Sequence, residues 1–155
     1  MDEEQKYKDA IDSFQRLVNT IAEIENRPRD FGTGDRLYSS EIHTLEVIGD
    51  NPKANITELS IKLGVTKSAT SQIVKRLERK KYLRRYKEKK NNKEVLLELL
   101  DAGKMAYWGH KRYHMVMDAP LIHRMKGLNS EQFDFLHIVM GEINKYMEGI
   151  LKERT

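Results

Sequence analysis

The chain has 155 residues, 34% charged and 39% hydrophobic, with no cysteine. That is enough for one core, and it excludes disulfides, thiolate metal sites and thiol redox sensing. No apolar run approaches the ~18–20 residues of a membrane span, and the acidic start MDEEQKYKD is no signal peptide, so the cytoplasm is the expected compartment. Net charge is +4 but unevenly placed: from Lys75 to Lys93 eleven Lys/Arg face two Glu, a local +9 that leaves −5 on the remainder. Such a basic block points to a polyanionic partner.

From Glu3 to Asn26 the apolar residues Tyr7, Ile11, Phe14, Val18 and Ile21 step by 4, 3, 4, 3, a helical stripe that Pro28 ends. RPRDFGTGD then reads as a loop. Ser39 or Ser40 can cap a second helix through about Gly49, with Ile42, Leu45 and Ile48 on one face. After the turn DNPKAN, Thr57 can cap a short helix carrying Leu59 and Leu63, with Gly64 as its left-handed stop. Thr66 caps the next helix, whose Ala69, Ile73 and Leu77 form the inward row. YLRRYKEK and KEVLLEL flank KNN, and Val95, Leu97 and Leu99 alternate at period two, which predicts a two-stranded hairpin. Asp101 can cap a long helix to about Lys126. A last helix starts at Asn129, where N-S-E-Q offers a capping box. Its apolar residues Phe133, Leu136, Met140, Ile143, Met147 and Ile150 step by 3, 4, 3, 4, 3.

Helix, Gly-containing turn, helix and basic hairpin form the pattern of a winged helix-turn-helix. The fold class is therefore mainly α with a small β-hairpin: a single domain, 1–155, with a DNA-binding lobe over 37–100 and helical regions at 1–30 and 101–155. At 100° per residue, the face opposite Ala69, Ile73 and Leu77 presents Ser68, Ser71, Gln72, Lys75 and Arg79. Ser and Gln can reach base edges, while Lys75 and Arg79 can reach phosphates. Lys67, Arg76, Lys89, Lys90 and Lys93 complete the expected DNA-binding set. No glycine-rich phosphate loop, nucleophile elbow or placed carboxylate pair argues for an enzyme. His110 and His114, four apart, share one helix face at the spacing that lets two imidazoles hold a metal. His43 lies off the apolar face of the second helix. Glu25 falls where the first helix's stripe calls for an apolar residue, and a carboxylate there wants a partner.

The segments LYSSEIHTLEVI, ITELSIKLGVTKSATSQIVKRLERKKYLRR and KEVLLELLDAGK give the chain a resemblance to the multiple-antibiotic-resistance regulator family of transcription factors. That resemblance implies a dimeric repressor of a pseudo-palindromic DNA operator. In ordinary members an Asp-Arg pair at the hairpin tip places an arginine in the minor groove; here Asn91, Asn92 and Lys93 occupy that stretch. The resemblance also implies a homodimer built from the first and last two helices. The 3.5-residue stripes, with Ile11, Phe14, Val18, Leu136, Met140, Ile143, Met147 and Ile150, support that independently. Glu25, His43, His110 and His114 match the metal positions of the family's zinc-sensing members. The expected cofactor is thus one zinc per subunit, since Gly109 and the lack of cysteine remove a second site. Two other readings stay open. A small aromatic or apolar effector could fill a pocket lined by Phe31, Tyr107, Trp108 and Tyr113, or the chain could be an unregulated architectural protein.

Overall fold

The computed structural model describes residues 2–88 and 91–153, without the side chains of Asn91, Asn92, Lys93 and Glu153. The elements in order are α1 (Glu3–Glu25), β1 (Arg29–Asp30), β2 (Arg36–Leu37), α2 (Ser39–Asp50), α3 (Ile56–Leu63), α4 (Lys67–Arg79), β3 (Leu83–Glu88), β4 (Asn91–Leu99), α5 (Asp101–Met125) and α6 (Ser130–Glu153). They fall into two compact units, residues 1–113 and 114–155, divided within α5. No helix among the described residues is long and apolar enough to cross a membrane.

In the first unit α2, α3, α4 and the β3–β4 hairpin enclose one core. Leu45, Leu59, Val74 and Leu77 are fully buried at its centre, and Ile42, Leu37, Leu83 and Leu97 close it from the sides. The inward side of α4 is Thr70, Ile73, Val74 and Leu77, with Ala69 only half-buried. On β4 the buried residues are Leu96, Leu97 and Leu99, whereas Val95 is exposed. Leu97 and Leu99 face the core as the alternation predicts, but the pairing register shifts beyond Tyr86–Leu96 and carries Val95 out of it. Leu96 is covered because β4 also bridges to Asn55, and Leu97 N–H donates to the Ala54 carbonyl at 3.0 Å.

The helix starts differ from the sequence expectation at two points. Tyr38, not Ser39 or Ser40, precedes α2, and the buried Glu41 carboxylate accepts the Tyr38 N–H at 3.1 Å. Asn55, not Thr57, caps α3. Its side chain accepts from Glu58 N–H at 2.9 Å, and the Glu58 carboxylate accepts from Asn55 N–H at 3.2 Å, a reciprocal box. Gly64 stops α3 at φ 65°, a conformation that costs glycine nothing, and Thr66 accepts from Ala69 N–H to open α4. Asn129 and Gln132 exchange the predicted pair of bonds ahead of α6.

The stretch RPRDFGTGD is more than a loop. Arg29 pairs with Leu37 and Asp30 with Arg36, forming a ribbon too short to show periodicity. Asp30 Oδ1 accepts the N–H groups of Gly32, Thr33 and Gly34 at 2.8, 2.9 and 3.0 Å, which holds its carboxyl below the usual range. Thr33 and Asp35 then engage the hydroxyl of buried Tyr82 at 2.7 and 3.2 Å, pinning the ribbon to the base of the hairpin.

Candidate nucleic-acid interface and histidine cluster

α4 is amphipathic, and its outer side carries the expected polar set. Lys67, Ser68, Gln72, Lys75, Arg76 and Arg79 are exposed, and Ser71 is half-buried. Gln72, Lys75, Arg76 and Arg79 line one shallow groove with Glu78. The basic block is not uniformly available to a partner. Lys80 Nζ contacts the buried Glu41 carboxylate at 2.9 Å, Arg84 contacts Glu98 at 2.6 Å, and Arg85 contacts Glu78 at 3.3 Å. Three of the cations that give the block its charge are therefore engaged within the lobe: Lys80 joins the end of α4 to α2, Arg84 joins the two hairpin strands, and Arg85 joins β3 to α4. Lys53, whose ammonium meets Glu88 at 2.8 Å and is more basic for it, adds a fourth tie. Lys89 and Lys90 lie outside the described residues, as does the Lys93 side chain.

The histidines converge. His43 on α2 and His110 on α5 have ring centroids 5.3 Å apart, and His114 follows His110 by one turn of the same helix. One nitrogen from each of His43, His110 and His114 lies within 4.8 Å of the others. His110 is 2% exposed, His43 half-buried and His114 exposed. Glu25 is not in that group. Its carboxylate accepts the Ser39 hydroxyl, and Ser39 Oγ stands 3.4 Å from His43 Nδ1, so Glu25 reaches the cluster through Ser39. Three imidazoles with an acid at one remove suit zinc, which favours nitrogen ligands in sets of four. Gly109 has its own reason to be glycine: a Cβ there would stand 1.9 Å from the Phe31 carbonyl oxygen. No side chain, acidic or otherwise, fits.

Sequence reasoning missed the charged residues behind the cluster. Glu46 Oε2 stands 3.4 Å from His110 Nδ1, and Glu46 Oε1 accepts Lys111 Nζ at 2.8 Å. Lys111 also reaches Asp50 at 3.2 Å, and Asp50 accepts the Tyr107 hydroxyl at 2.6 Å. The Glu46 bond pushes the Lys111 ammonium up, and the Tyr107 bond holds Asp50 down. The only sequence signal was Glu46 and Asp50 one turn apart on the polar side of α2. The aromatic pocket is divided. Tyr107 and Trp108 line a cleft of about 460 Å³ with Ile48, Tyr86 and Leu97, whereas Phe31 is buried edge-on against Tyr113 and His110. Phe31 and Tyr113 are thus not part of that cleft.

Together α3, α4 and the β3–β4 wing make this a winged helix-turn-helix protein. Residues 37–95 match the family model described as MarR family, and the chain is similar to that family of DNA-binding transcription regulators. It is 33% identical over 105 residues to an HTH-type transcriptional regulator, YhjH, of Bacillus subtilis (strain 168). That alignment takes in 66% of this chain and 60% of the relative, so the chain spans less than two thirds of the relative's length. Among solved structures it is similar to Streptococcus pneumoniae FabT in complex with DNA, at 25% identity and TM-score 0.69, covering 96% of this chain and 99% of that one. The fold is also that of a zinc-responsive MarR family member, Lactococcus lactis ZitR, at 12% identity and TM-score 0.75, covering 91% and 99%.

Proposed function

We propose that this chain represses transcription by binding a pseudo-palindromic DNA duplex as a homodimer, under control of zinc. The observation that carries the DNA reading is the exposed row Ser68, Gln72, Lys75 and Arg79 on the outer side of a capped helix. Serine near the helix start lets the backbone approach the major groove, Gln72 offers a donor and an acceptor to base edges, and Lys75 and Arg79 meet phosphates. In a homodimer two such helices would meet successive major grooves about 34 Å apart. The exposed apolar stripes of α1 and α6 support that assembly, since their spacing is the one helix-on-helix packing covers.

For zinc, the convergence of His43, His110 and His114 is the support. These three and Glu25 would hold one ion per subunit; a bound divalent cation would supply the attraction that ties α2, which packs against the helix-turn-helix of α3 and α4, to α5. Buried His110 gives the set a fixed member, and Ser39 keeps Glu25 beside His43. A second reading, an aromatic effector in the Tyr107–Trp108 cleft, is favoured by that cleft's volume alone. Selection of bound sequences from a random DNA pool, with zinc and with a chelator, tests the proposal. An inverted repeat enriched in one of the two conditions supports it; no enrichment in either removes the DNA reading, and an identical repeat at equal affinity in both leaves the cleft as the input.

A further inference from the structure

His110 is the most enclosed of the three clustered histidines, yet on its α2 side it meets a carboxylate rather than apolar packing. Glu46 lies one turn from Asp50 on α2, and the two share a single ammonium, Lys111. Glu46 is 25% exposed and divides its oxygens: Oε1 accepts from Lys111 at 2.8 Å, and Oε2 stands 3.4 Å from His110 Nδ1, close enough for charge to act on the ring though not aligned as a hydrogen bond. Tyr107 fixes Asp50 in turn at 2.6 Å. A carboxylate beside one ring nitrogen favours the tautomer with its proton there, leaving the other nitrogen as the lone-pair donor.

We propose that Glu46 is a positioning residue of the histidine cluster: it holds His110 as the Nδ1–H tautomer, so that Nε2 is the metal ligand, and Lys111 with Asp50 holds Glu46. This rests on the zinc reading above. Glu46 is not counted as a ligand, because it is not in the group whose atoms lie within 4.8 Å of one another and Lys111 already holds its Oε1. The arrangement fixes the ring of His110 before any ion arrives, which lowers the ordering cost of binding.

The test uses the full chain and reads two quantities: the ¹⁵N shifts of the His110 ring in zinc-free protein, and zinc affinity by competition with a chelating dye. The parent should show the Nδ1–H tautomer. Glu46→Met removes the acceptor and should erase that preference while weakening zinc about 10–100-fold. Glu46→Gln keeps an acceptor oxygen and should retain the tautomer and most of the affinity, so the comparison stands even where the Met variant folds poorly. A parent with the Nε2–H tautomer, or a Met variant that binds zinc as the parent does, overturns the role of Glu46 alone. A parent that binds no zinc overturns the metal reading itself, which the ¹⁵N measurement then separates from the contact between Glu46 and His110.

Discussion

Lys80 sits in the middle of the basic block, yet its ammonium turns inward to a carboxylate that is almost fully buried. Lys75, five residues earlier on α4, is exposed. Identical chemistry in sequence therefore has two uses. Lys80→Ala leaves Glu41 with a desolvated charge and should destabilise the fold by about 1–3 kcal/mol, read as a lower urea midpoint. The salt dependence of DNA binding should stay as in the parent. Lys75→Ala should do the reverse, keeping stability while weakening binding to every sequence and flattening the log–log salt slope by about 0.9. Gln72→Ala should instead relax preference at the base pairs that Gln72 reads, by about 1–3 kcal/mol at each. Binding by both Lys75→Ala and Gln72→Ala that matches the parent on operator and random DNA alike would move the interface off α4.

Two glycines decide how α5 lies against the rest of its unit. A Cβ on Gly103 would stand 2.0 Å from the Tyr82 carbonyl oxygen, and one on Gly109 would stand 1.9 Å from that of Phe31. Both obstacles are backbone, which cannot swing aside as a side chain can. Gly109→Ala should therefore push α5 off the β1–β2 ribbon and cost about 1–3 kcal/mol, seen as a lowered melting temperature. These close approaches are invisible in the sequence, where neither glycine stands at a turn. The helices themselves are legible because each terminal one keeps a strict apolar spacing, as in Tyr7–Ile21 and Phe133–Ile150. Caps are legible where one side chain has no competitor, at Thr66 and Asn129. They are misplaced at α2 and α3, where Glu41 and Glu58 reach back to a residue before the expected start. His43, His110 and His114 are legible from helix spacing and resemblance together, but Glu46 and Lys111 are not. A charged pair between two helices 65 residues apart in sequence leaves no local pattern.

Across the whole molecule, α1 has no buried residue although its apolar stripe runs its whole length, with Ile11 58% and Val18 45% exposed. In the second unit, α6 leaves Met140 half exposed, and Leu136, Ile143 and Ile150 only partly covered. Surfaces of this kind mark association. Replacing Ile143 and Met147 together with Glu should yield monomer or unfolded chain in sedimentation, with operator binding lost; a compact, DNA-binding dimer would place the interface elsewhere. The proposed function couples a DNA-reading helix to a histidine cluster that answers zinc. Fluorescence anisotropy of a selected operator, titrated in saturating zinc and in chelator, addresses that coupling, using the parent and a His110→Ala, His114→Ala variant. The parent should prefer operator over random DNA and shift its operator affinity by about 5-fold or more, on the order of usual allosteric couplings, between the two conditions. The double variant should bind with one affinity in both. A parent whose operator affinity is the same with zinc and with chelator, or no better than its affinity for random DNA, would refute the coupling.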